Sequence, residues 1–166
     1  MFMFDVETLG VESTSVILSL SCIHFQSADN RTYKQFKDDA FFIKFDAKDQ
    51  ATRLNRKIDK GTVEWWEKQC LFAKQRSLLP TPEDYKLEDG LKLFHEWVEA
   101  QHDEKAWVWA RGNLDQLILQ SSERSAGLET IFTHNRWRDV RTAIDLMQGS
   151  INGYCDVDHP EFLYDR

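Results

Sequence analysis

Apolar and charged side chains alternate through the first strand-like stretch: Phe2, Phe4 and Val6 interleave with Met3, Asp5 and Glu7. Alternation is the period of a β-strand, so Asp5 and Glu7 are expected on one face, roughly 7 Å apart. Thr8, Leu9 and Gly10 then turn the chain. Residues 14–25 are rich in β-branched and apolar types and predict a second strand, paired to the first as a hairpin through Gly10–Ser13. A third strand is expected over Ala40–Phe45, completing a meander. From Asp46 the pattern becomes helical. A helix with Thr62 as its N-cap is expected to open at Gly61, and one of the adjacent Trp65 and Trp66 should enter the core while the other stays exposed. Leu87, Leu91, Phe94, Trp97 and Val98 keep a helical period, predicting an amphipathic helix over 83–101, with Thr81 as a candidate cap.

The run Ala106–Ala110 is short and almost wholly apolar, which suits a buried strand parallel to the first. A turn through Arg111–Asp115 leads into a helix ending near Gly127. Trp137–Arg141 predicts a fifth strand and Ala143–Met147 a short helix, whereas 149–166 shows no period. The order β-β-β-α-β-α-β-α implies an α/β fold. It is a mixed sheet, a three-stranded antiparallel meander plus helix-linked strands with helices on its faces, in the RNase H-like arrangement.

The 166 residues, 42% hydrophobic and 13% aromatic, suit one globular domain over 1–166. No apolar run is long enough to span a bilayer and no secretory leader is evident, so a cytoplasmic location is expected. The three cysteines show no metal-type spacing and suit reduced thiols. A net charge of −7 argues against a broad nucleic-acid-coating surface. It leaves room for an enzyme that grips a strand locally around an acidic site.

Asp5 and Glu7 follow an apolar run of central-strand character. Unpaired carboxylates there are costly to desolvate, and divalent cations with oxygen ligands resolve the conflict. The alternative is a pair of solvated edge acids. Asp115 lies just past a buried strand, where ligands of open α/β sheets gather; it could instead be a simple helix cap. The basic run Lys48, Arg53, Arg56, Lys57 and Lys60 is either a solvated face or a phosphate-contacting segment. His24 reads as a core or edge histidine, and His95 and His102 as surface residues.

Five segments together carry a resemblance. Asp5-Val6-Glu7-Thr8, the stretch Trp109–Asp115, and the lines Ile43–Asp46 with Gln50, Thr62–Gln69 and Arg138–Thr142 occur in an order similar to that of DEDD-superfamily 3′–5′ exonucleases. The chain resembles the DexA-type exonucleases of T-even-like phages and their exoribonuclease-like relatives. Gly112 and Asp115 stand one residue closer than in the family pattern. The third motif, a helical His-x4-Asp or Tyr-x3-Asp, has only chance-like matches in His134/Asp139 and Tyr154/Asp158, with His159 and Asp165 one residue too far apart. The chain is expected to stop short of that motif's helix.

The resemblance implies phosphodiester hydrolysis at 3′ ends of single-stranded DNA or RNA, with DNA preferred and a host-cytoplasmic setting if the protein is phage-encoded. It implies two Mg2+ or Mn2+ ions about 4 Å apart. Asp5 would bind both, Glu7 one, and Asp115 the other. Thr8 and Leu9 would meet the 3′-terminal nucleotide, Leu9 as a wedge, although both could be mere turn residues. An exoribonuclease of the same fold, or a binding module that has lost catalysis, are the competing readings.

Overall fold

The computed structural model describes residues 1–149 and 151–154. A five-stranded sheet in the order β3-β2-β1-β4-β5 forms its centre. β1 (Phe2–Thr8) lies in the middle, antiparallel to β2 (Ile17–His24) and parallel to β4 (Val108–Ala110). β3 (Phe41–Lys44) extends the antiparallel side and β5 (Trp137–Asp139) the parallel side. This is the mixed, open α/β sheet that the hydrophobic pattern predicts, in agreement with an RNase H-like fold.

The helices are α1 (Tyr33–Asp39), α2 (Ala47–Arg53), α3 (Lys60–Glu67), the single turn α4 (Leu71–Ala73), α5 (Leu87–Glu99), α6 (Leu114–Ser125) and α7 (Val140–Gln148). α4 runs directly into a π-helical stretch, Lys74–Leu78. Two of these elements depart from the expected order. α1 interrupts the meander between β2 and β3, and its start is fixed by Thr32 and Gln35 in a reciprocal capping box. α3 begins earlier than expected, because Asp59 rather than Thr62 is its N-cap and accepts from the Thr62 amide. Thr81 caps no helix: its backbone and hydroxyl both donate to Asp84, making a turn ahead of α5.

The two faces of β1 have different fates. Phe2, Phe4 and Val6 point into a core shared with Leu87, Leu91, Phe94 and Val98 of α5 and Ile118 and Leu119 of α6. Each fully buried side chain of this size contributes about 1.5–3 kcal/mol. α5 comes so near the sheet that a Cβ on Gly90 would fall 2.6 Å from Phe45 Cε1. The opposite face of β1 carries Met3, Asp5 and Glu7. It is only partly roofed, by α1 at one end and by α3, α4 and the π-helical stretch at the other. No helix among the described residues is long and apolar enough to cross a membrane.

Candidate active site

The strand register builds the site row by row. Asp5 stands opposite Ser21, which stands opposite Phe42; Glu7 stands opposite Ser19, which stands opposite Lys44. Small hydroxyl side chains next to the two acids leave a trough across the sheet. The trough widens into a cleft of about 360 Å³ lined by Asp5, Glu7, Phe42, Phe72, Arg76 and Ser77 among others. A second cleft of about 370 Å³ opens on the other side of Glu7, against Thr8, Trp65, Trp66 and Leu114. Glu7 is thus the ridge between two concavities, and the ladder shifts register immediately after it.

Asp115 arrives from the neighbouring parallel strand. β4 ends at Ala110, the chain turns through Arg111 and Gly112 (φ +83°), and Asp115 occupies the first turn of α6. Glycine suits that left-handed turn because it lacks a Cβ. Asp115 is 9% exposed and close enough to Asp5 and Glu7 to feel both charges. Asn113, not Asp115, holds the N-cap position, although its side chain makes no capping bond. Asp115, just past the end of β4, thus comes near the face of β1 that carries Asp5 and Glu7.

The acids are electrostatically uncomfortable. Burial, then the Asp5 charge, pushes Glu7 up to about 7. Burial and the charges of Asp5 and Glu7 push Asp115 up to about 7, with the Arg111 backbone and the Arg141 charge opposing. Asp5 is open to solvent, yet it lies on the floor of the cleft, and crowding by protein raises its pKa despite the opposing charge of Arg111. Arg111 itself lies over the Tyr154 ring at 4.0 Å, which brings the last described residues beside the acids.

Among the described residues, no three His, Cys, Asp or Glu side chains form a ready-made metal cage. The donor set is nonetheless one of hard oxygens with excess negative charge. Mg2+ commonly takes one or two carboxylates and completes its shell with waters and substrate phosphates.

Other predicted residues fall elsewhere. Leu9 is 7% exposed and packs with Val16, Leu18 and Trp66, so its side chain cannot serve as a wedge. Thr8 lines the second cleft, but its hydroxyl donates to the Gly10 carbonyl at 2.7 Å. Trp66 is the buried tryptophan and Trp65, 51% exposed, the exposed one; both border the second cleft.

The basic run divides: Lys48, Lys57 and Lys60 are exposed, while its two arginines are engaged. Arg53 pairs with Asp49 and Glu88, and Arg56 is buried, donating to the Ser15 carbonyl. His95 is not a surface residue; its Nε2 lies 3.0 Å from the fully buried Glu123. His24, the last residue of the interior strand β2, pairs with Asp103. His134 sits exposed on a single 3-10 turn, and Asp139 caps α7 while accepting from the Gly112 amide, so this pair is structural. Asp158, His159 and Asp165 lie outside the described residues. Arg76 was missed entirely, because nothing in its local sequence marks a π-helical turn.

The model of the 3′–5′ exoribonuclease Rv2179c-like domain matches residues 1–161. The chain belongs to this family. It is accordingly a nuclease of the 3′–5′ exonuclease type, and its substrate is nucleic acid. A comparison with curated proteins finds no match. The match of the Rv2179c-like family spans the whole sheet and both clefts, so the three acids lie within the matched region.

Proposed function

We propose that the chain is a metal-dependent 3′–5′ exonuclease of the DEDD type, related to the DexA-type enzymes and acting on single-stranded 3′ ends. The observation that supports this reading is that Asp5 and Glu7 share one face of β1 with Asp115 near enough to feel both charges, a mutual repulsion that cations would relieve. When bound, two Mg2+ or Mn2+ ions would polarise the scissile phosphate and ease deprotonation of the attacking water. Asp5, at the floor of the cleft, would hold both ions, Glu7 the one on the water side and Asp115 the one on the leaving-oxygen side. Arg111 restrains the negative charge of Asp5 before cations arrive.

No histidine among the described residues lines either cleft, so the proton acceptor is left unassigned there. The domain is one RNase H-like unit, and a third acidic motif is not found among the described residues. The phage resemblance favours DNA, while the family description names RNA.

The test is digestion of 5′-labelled single-stranded DNA and RNA of one sequence, with Mn2+ or EDTA and with Asp5→Ala. A ladder shortening from the 3′ end, abolished by both controls, is the expected result and reports the preferred sugar. Binding without cleavage, in this chain and in one extended beyond Arg166, would overturn the proposal in favour of a binding module.

A further inference from the structure

The cleft that holds Asp5 and Glu7 also holds a cation that does not pair with them. Arg76 lines the same concavity, yet its guanidinium is stacked over the Phe42 ring at 4.3 Å and makes no ion pair with a described residue. The cation that moderates Asp5 is Arg111 instead. A free arginine beside two repelling carboxylates would ordinarily swing onto them. Here two features hold it off.

The first is the stack on Phe42, a geometry arginine favours through its planar, weakly hydrated head. The second is the π-helical stretch itself. Its wide turn is closed by the Leu79 amide on the Lys74 carbonyl, at 2.7 Å. It carries Ser77 inward, where the Ser77 and Ser19 hydroxyls meet at 3.0 Å. With Ser77 tied to the sheet beside Glu7, the preceding Arg76 is directed along the cleft wall. π-bulges are rare and recur at functional sites.

Phe42 is two strands away from Asp5 in the same row, a separation of roughly 10 Å at ordinary strand spacing. That exceeds the width of one phosphate, so a guanidinium held over the Phe42 ring suits a neighbouring phosphate rather than the one that the acids would process. One helical turn earlier Phe72 also lines the cleft, 61% exposed. A positive group and an exposed aromatic ring on one wall are the two elements that single-stranded nucleic acid requires, one for backbone and one for a base.

We propose that the 72–76 wall grips the substrate strand one nucleotide away from the scissile bond, with Arg76 on a backbone phosphate and Phe72 stacked on a base. This rests on the exonuclease reading and adds to it the element that holds the strand in the cleft.

The experiment measures anisotropy of a labelled single-stranded RNA or DNA ten-mer, whichever the protein digests, in the Asp5→Asn background so that the probe stays intact. Arg76→Ala should weaken binding about tenfold and reduce the magnitude of the log-affinity against log-salt slope by about 1. Arg76→Lys should keep the slope and regain part of the affinity. Phe72→Ala should weaken binding with the slope unchanged, because stacking carries no charge. In the otherwise unmodified enzyme, both alanine variants should raise KM more than they lower kcat.

An unaltered affinity and slope in Arg76→Ala, with circular dichroism matching the parent, would overturn the wall assignment while leaving the nuclease intact. Undiminished digestion by Asp5→Asn would instead sink the exonuclease site, and with it this proposal.

Discussion

The indole Nε1 of Trp66 donates to the carbonyl oxygen of Thr8 at 2.9 Å, joining α3 to the end of β1 one residue beyond Glu7. The ring is buried among Leu9, Val16 and Leu18, and the bond itself is partly buried at the rim of the second cleft. Trp66→Phe keeps most of the apolar contact and leaves the carbonyl short of a partner. The expected loss is about 1–2 kcal/mol of unfolding free energy, read from urea denaturation. Trp65, half exposed and edge-on to Trp66, should cost less than about 0.5 kcal/mol as alanine. A large loss at Trp65 and none at Trp66 would contradict the assignment of their roles.

Asp115 should destabilise the metal-free fold at alkaline pH. Its pKa is about 7 in the folded chain against an ordinary value of 3.8. Below 3.8 both folded and unfolded chains hold the proton, and the group costs nothing electrostatically. As pH rises toward 7 the unfolded chain releases its proton while the folded chain keeps it, and stability falls. Above 7 the buried charge bears its full cost. Asp115→Asn should therefore gain about 1–3 kcal/mol at pH 8 in EDTA and nothing at pH 3.5. Chemical denaturation at the two pH values checks both the size and the sign.

Divalent cations should reverse that cost. If Asp5, Glu7 and Asp115 hold Mg2+ or Mn2+, the native state alone binds them and the melting temperature rises with metal concentration. The gain is about 2.7 kcal/mol at a hundredfold excess over Kd. Binding requires the ionised acids, so affinity should weaken as pH falls below about 7, where Glu7 and Asp115 take up protons. Differential scanning fluorimetry with Mn2+ at pH 6 and pH 8 measures this. A metal-induced shift that persists in Asp5→Asn would place the ions elsewhere.

Much of the sheet was legible because its strands obey a strict period. Phe2, Phe4 and Val6 against Asp5 and Glu7 define both the inner and the outer face of β1, and the apolar run at Val108–Ala110 defines its parallel neighbour. Asp115 was legible from its place after that run. α1 was not, since none of its residues is buried and it therefore has no hydrophobic period. Its one readable signal was the Thr32-x-x-Gln35 capping box.

The basic run over 46–60 shows that charge alone does not report partners. Arg56 spends its donors on the carbonyls of Ser13 and Ser15 and the hydroxyls of Ser121 and Ser125, and burial lowers it to about 10. The pairing of His95 with Glu123 joins two helices 28 residues apart, beyond any local pattern.

Gln50 extends the sheet with a side chain. β3 pairs with β2 as far as Lys44 opposite Ser19, and the Phe45 amide still reaches the Leu18 carbonyl. One residue further along β2, Ile17 has no strand partner on that edge. The Gln50 amide takes the place of a peptide group: its Nε2 donates to the Ile17 carbonyl at 2.7 Å, and its Oε1 accepts from the Ile17 amide at 3.0 Å. Gln50 is fully buried, so water cannot replace either bond. Gln50→Leu strands one donor and one acceptor and should cost about 2–4 kcal/mol, whereas Gln50→Glu loses the donor and buries a charge, and should cost at least as much at neutral pH.

The effect should reach the site as well. Ile17 pairs with Thr8 at the register shift directly after Glu7, so loosening Ile17 frees the strand end that aims that carboxylate. Nuclease activity of Gln50→Leu, assayed well below its melting temperature, should fall by more than the fraction unfolded. Activity that tracked the folded fraction alone would confine Gln50 to stability and leave the aim of Glu7 to β1 and Trp66.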